Sequence, residues 1–229
     1  MKYKDNIYKG NKSYFDRFDY YVEEVKKIDE ESLSSNDRYL AIVATLIANN
    51  ATLLFEDMLS EILEFVSPYK VREVIYQASA YLGISKSYPF IDILSKFNLN
   101  DKGLTTTNEN RREEGSKKQV EIFGEGMKDF YLQGKVNYLL ASNCFGDYYT
   151  RVGLTIKERE LVTFCYLIAL GGVEPQVIAH IKGNVNVGNE LDYLTKVVHQ
   201  VIPYIGYPRS LNALNCIKRV KEEYEMETK

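Results

Sequence analysis

Tryptophan is absent from this chain of 229 residues, histidine occurs twice and cysteine three times. Cys144, Cys165 and Cys216 are odd in number and far apart, with no C-x-x-C pair among them. That spacing argues against a disulfide framework or a thiolate zinc site and for a reducing compartment. Glycine (14) and proline (five) are too scarce for a fibrous or low-complexity chain. The net charge is only −3, with both signs mixed along the chain. A basic footprint for nucleic acid is therefore missing, and so is a polybasic patch for a membrane surface. No apolar run reaches the ~18 residues that span a bilayer; the longest, near 41–48 and 161–173, are interrupted. The first twenty residues are polar and tyrosine-rich, without the apolar core of a signal peptide. The expectation is a soluble, cytoplasmic protein with neither nucleic acid nor membrane as partner.

What the chain does have is helical periodicity. Apolar residues make up 45% and charged residues 27%, enough for a sizeable core. Phe15, Phe18, Tyr21, Val22, Val25 and Ile28 recur at spacings of three and four, the mark of a helix with one apolar face. Residues 39–48 are apolar almost all round, which predicts a central helix. Further helices are predicted over 53–65, 71–82, 89–97, 117–132 and 135–145, with 146–153 as a turn. Period-two alternation is absent, so the expected class is all-α. The expected organisation has three parts. Residues 1–97 form an N-terminal helix and a degenerate first repeat, 98–116 a polar linker, and 117–229 a second repeat carrying the candidate site.

The repeat rests on matched positions. Leu33, Ser34, Asp37, Arg38 and Leu40 align with Leu154, Thr155, Glu158, Arg159 and Leu161 at an offset of 121. Gln77, Tyr81 and Gly83 align with Gln200, Tyr204 and Gly206 at an offset of 123. The halves differ at two informative places: Glu160 faces Tyr39 in the alignment, and His180 faces Leu59.

Around those two residues the chain is well punctuated. Thr155 and Glu158 make a capping box, which starts a helix and puts Arg159 and Glu160 in its first turns. Gly171-Gly172 ends that helix, and Glu174-Pro175 starts the next. His180 then falls near the inward side, between Val177, Ile181 and Val185. A glutamate and a histidine on consecutive antiparallel helices are placed to share a hydrogen bond, leaving the ring as a proton donor or acceptor. A purely structural His180 fits the same positions. Arg159 has a duplicate in Arg38, which suits a shared ion pair as well as a substrate contact. Tyr204 and Gln200 recur as Tyr81 and Gln77, which suits helix-turn packing. Arg209 follows Pro208 at a helix start, and His199 reads as structural.

The runs KERELVTFCYLIALGG, EPQVIAHIKGNVNVGNELDYL and QVIPYIGYPRSLNAL resemble the carboxymuconolactone decarboxylase family, whose fold is similar to that of alkylhydroperoxidase D. The resemblance implies an all-helical fold and assembly as a homo-oligomer (dimer, trimer or hexamer) with sites near subunit or repeat contacts. In the peroxidase branch a C-x-x-C pair precedes the histidine. Val173 and Gln176 stand at those positions, so no thiolate is there to attack a peroxide. The decarboxylase branch keeps the histidine and implies no metal and no organic cofactor. Its implied substrate is a small carboxylated lactone or related acid. In that reading His180 is the proton donor and Glu160 its orienting partner, with Arg159, Arg209, Tyr204 and Gln200 as candidate substrate contacts. A non-catalytic oligomer that binds a ligand or partner is the alternative.

Overall fold

The computed structural model describes residues 3–28 and 33–227. Among them there are helices and no strands: the fold is all-α. The helices are α1 (Asp5–Gly10), α2 (Lys12–Ile28), α3 (Ser35–Ala48), α4 (Thr52–Phe65), α5 (Pro68–Leu82), α6 (Ile84–Ser95), α7 (Arg111–Phe123) and α8 (Lys135–Leu139). After a π-helical stretch (Leu140–Tyr149) come α9 (Ile156–Leu170), α10 (Glu174–Asn186), α11 (Leu191–Ile205) and α12 (Tyr207–Glu227). None is long and apolar enough to cross a membrane among the described residues.

At the centre, α3 packs against α9. Both are buried on every side, from Arg38 to Ala48 and from Glu158 to Ala169, as their unbroken apolar runs require. Each fully buried leucine or isoleucine there contributes about 1.5–3 kcal/mol relative to exposure. The pair is flanked by α5 and α11, with α10 against α9. Helix starts follow the side chains that cap them. Ser34 Oγ accepts from Asp37 N at 3.1 Å, and Thr155 and Glu158 form the full reciprocal box. The helices α5 and α11 end at glycines of positive φ, Gly83 (79°) and Gly206 (78°).

The aligned positions meet in space. Arg38 Nε donates to Gln200 Oε1 at 2.8 Å, and Arg159 Nη1 donates to Gln77 Oε1 at 2.8 Å. Each arginine thus reaches the glutamine of the opposite half.

The helix expected over 89–97 runs instead from Ile84 to Ser95 with Pro89 inside it, and the one expected from 71 opens at Pro68. Two further boundaries differ from the sequence expectation. The helix α7 begins at Arg111, inside the stretch read as linker, and ends at Phe123. Within it Gly115 lets the backbones close up: a Cβ there would stand 1.9 Å from the Ala141 carbonyl oxygen. Beyond Phe123 come two short 3₁₀ turns, Glu125–Met127 and Phe130–Gln133, in place of a helix to 132. The second difference lies at 140–149, where α8 does not continue as an α-helix to 145 and turn at 146. It widens instead into π-helix through Tyr149.

Candidate functional site

Glu160 and His180 do meet. Glu160 is fully buried on the second turn of α9, and His180 Nδ1 lies 2.9 Å from its Oε2. The ring nitrogen Nε2 has no hydrogen-bond partner among the described residues, and the His180 side chain keeps 11% of its surface open. The ring stands edge-on between Phe123, 5.3 Å centroid to centroid, and Tyr81, at 5.6 Å. Helix α10 comes this close beside Gly183, where a Cβ would stand 2.7 Å from Glu160 Oε2.

The second carboxylate oxygen is held by a residue the sequence did not single out. Tyr149 Oη donates to Glu160 Oε1 at 2.6 Å. A phenol has one proton, so its contacts with Thr163 Oγ1 (2.7 Å) and Tyr81 Oη (2.9 Å) must both be received. The rest follows by the same count. Thr163 gives its proton to Tyr149 and accepts from Gln77 Nε2 at 2.9 Å. Tyr81 gives its proton to Tyr149 and accepts from Cys144 Sγ at 3.5 Å. Every donor in the chain points toward Glu160. Burial, and after it the Glu160 charge, pushes the Tyr149 phenol well above its ordinary range. Burial, with Cys144 and Glu160 behind it, does the same to Tyr81. Burial also drives the Cys144 thiol up to about 12. These groups are hydrogen-bond donors at neutral pH, not anions.

The π-helix explains why Cys144 and Tyr149 share a face. Bonds from i to i+5 bring residues five apart into line, whereas an α-helix would rotate them away from each other. No periodicity in the sequence marks this. Cys144 therefore sits in the polar chain. Cys165 keeps to its apolar stripe, and all three thiols are buried and free.

The remaining candidates go elsewhere. Arg159 is fully buried, donating to Gln77 Oε1, to the Arg151 carbonyl at 2.5 Å and to Glu73 Oε2 at 3.4 Å. Its fork is committed to tying α5, α9 and the 150–153 turn together. Arg209 is exposed, bonded to Asn49 Oδ1 at 2.6 Å and lying over Gly171. That is eleven residues along α9 from Glu160, about 16 Å. Gln200 bonds Arg38 and the Val25 carbonyl. Tyr204 lies near Arg38, Glu61 and Tyr39. Of their aligned counterparts, Tyr81 stands beside His180, and Gln77 is linked to Glu160 through Thr163 and Tyr149.

Compared with known protein families, residues 135–219 match the carboxymuconolactone decarboxylase family. Over this segment the chain is similar to that family. The segment carries Cys144, Tyr149, Glu160, Thr163 and His180, on an all-α fold of the alkylhydroperoxidase D kind. Phe123, Gln77 and Tyr81, which complete the surroundings of the dyad, come from outside it. No curated protein matches the chain.

Proposed function

We propose that the chain is a cofactor-free carboxy-lyase of this family, acting on a small carboxylated lactone or related acid. One observation carries the reading: Glu160 and Nδ1 of His180 are joined, while Nε2 is left unpartnered between aromatic rings. With Glu160 ionised, Nδ1 carries the shared proton, and Nε2 is the nitrogen that exchanges one with substrate. In the step proposed, the bond from the ring carbon to the carboxylate breaks and CO₂ leaves. The electron pair passes into the conjugated lactone carbonyl, and protonated Nε2 returns a proton to carbon. Tyr149 keeps the Glu160 carboxylate from rotating. Arg159 and Arg209 have no part in holding the substrate carboxylate in this scheme.

The same reading includes three further expectations. The two halves derive from one duplicated unit, which the reciprocal Arg38–Gln200 and Arg159–Gln77 bonds support. Copies of the chain associate through the apolar stretch of Leu132, Val136 and Leu139, exposed just ahead of the π-helix. The protein works in the cytoplasm, which fits three unpaired thiols. A non-catalytic ligand-binding oligomer is the second reading, favoured by the absence of an arginine at the dyad.

The deciding experiment follows loss of carboxymuconolactone ultraviolet absorbance with wild type and His180→Ala. Turnover that falls at least 10²-fold in a folded variant supports the lyase. Full activity in the variant overturns the role of His180. No turnover with wild type, on this and related acids, moves the assignment to the binding oligomer.

A further inference from the structure

A second feature of the fold involves none of the dyad's residues. Arg72, on α5 about 14 Å along the helix from Tyr81, borders two concavities. One, of about 310 Å³, is walled by Ile75, Tyr76, Ile91, Leu94 and Leu99, and Arg72 is the only charged residue in its lining. The other, of about 280 Å³, has Tyr69, Glu73, Asn100 and Lys102 around the same arginine. An apolar hollow of this size with one convergent charge is the usual form of a small-molecule site.

The arginine itself is incompletely satisfied. It is only 7% exposed. Nη1 donates to the Asn100 carbonyl at 2.8 Å and more weakly to that of Leu99 at 3.4 Å. Nε is shut off from solvent with no acceptor. The nearest carboxylate oxygen to Nη2, on Glu73, is 3.9 Å away, beyond hydrogen-bond reach. Nη2 is therefore the donor of this guanidinium that remains open to an incoming carboxylate oxygen. The surrounding charges are also unequal. Arg72, Arg151 and Arg159 share two carboxylates, Glu73 and Asp101, which leaves one buried positive charge in excess. Buried charge that is only partly compensated is costly, and here the Tyr69 and Tyr76 rings, 5.4 and 5.6 Å from the Arg72 guanidinium carbon, supply a cation–π share but no acceptor for Nη2. A single negative charge balances it, whereas Glu73 repels a dianion.

We propose that this groove binds a small amphipathic monocarboxylate. The carboxylate sits on Nη2 of Arg72, the guanidinium nitrogen that is open and without a hydrogen bond, and its apolar body lies against Ile75, Ile91 and Leu94.

Isothermal titration of the full chain with octanoate tests this, with octanamide as the uncharged comparator. Two variants accompany it: Arg72→Gln removes the fork, and Ser95→Trp fills the groove from an exposed rim position. The expected result is saturable one-to-one binding of octanoate by wild type. Binding is at least tenfold weaker for octanamide and for each variant. Equal affinity for the amide, undiminished binding by either folded variant, or no saturable binding by wild type overturns the proposal. Should Arg72→Gln fail to fold, Ser95→Trp decides alone.

Discussion

Gly183 stands where no other residue fits beside the Glu160 carboxylate. A methyl group at residue 183 would lie 2.7 Å from Glu160 Oε2, 2.9 Å from Phe123 and 3.0 Å from Ile122. The missing side chain lets α10 approach α9 closely enough for His180 to reach Glu160. The substitution Gly183→Ala is expected to destabilise the fold by about 1–3 kcal/mol, the usual cost of overpacking. It should also lengthen the His180–Glu160 contact. Thermal denaturation and the ring-nitrogen NMR shifts of His180 check both effects; unchanged shifts would sink the second.

Tyr149→Phe removes the one proton donated to Glu160 Oε1 among the described residues and leaves Tyr81 and Thr163 without their acceptor. A loss of about 1–3 kcal/mol is expected in urea unfolding, since buried groups are stranded. The double variant Tyr149→Phe/Tyr81→Phe should lose less than the sum of the two single changes, because both remove one shared bond. Simple additivity would refute the chain of donors.

The two arginines once grouped as substrate contacts should behave oppositely. Arg159→Met leaves Glu73 buried with less compensation and should cost about 3–5 kcal/mol. Arg209→Ala, on an exposed side chain, should change stability by less than about 1 kcal/mol and leave turnover intact. Paired melting curves and rate assays separate them. A dead but stable Arg209→Ala enzyme would put that residue back in the site.

Burial raises the Glu158 carboxyl, but Lys70, the Thr155 N–H and Asn36 outweigh it and hold the group below its ordinary value of 4.5. A lowered folded value means the contribution is whole above about pH 4.5 and is lost as pH falls through the lower folded value. Glu158→Gln should therefore melt about 2–4 °C below wild type at pH 7, the loss of about 1 kcal/mol of capping. The gap should close below pH 4.5. Calorimetry from pH 3 to 7 reads it, and a constant gap would contradict the linkage.

Burial holds the Cys144 thiol near 12 and raises Cys165 and Cys216 as well. A neutral thiol is a poor nucleophile. A thiol reagent at pH 8 should find almost nothing in the native protein and three groups after denaturation. A fast native reaction at Cys144 would disprove its assignment as a donor to Tyr81.

The local features were legible from sequence because they are set by neighbours within a few turns. Helix class follows from apolar spacing, helix ends from Ser34, Thr155, Gly83 and Gly206, and the Glu160–His180 pair from two consecutive helices joined by Gly-Gly. Packing alone decided the rest. Tyr81 reaches Tyr149 across 68 residues, Arg159 finds Gln77 across 82, and Arg38 finds Gln200 across 162. No periodicity encodes which helix faces which, so the aligned glutamines and tyrosines exchanged sides unseen. The π-helix was equally hidden, because an i to i+5 bond leaves the same apolar residues in the chain as an i to i+4 bond. Sequence determined that this chain is a helical protein with a glutamate–histidine pair; tertiary packing decided which side chains surround and hold that pair.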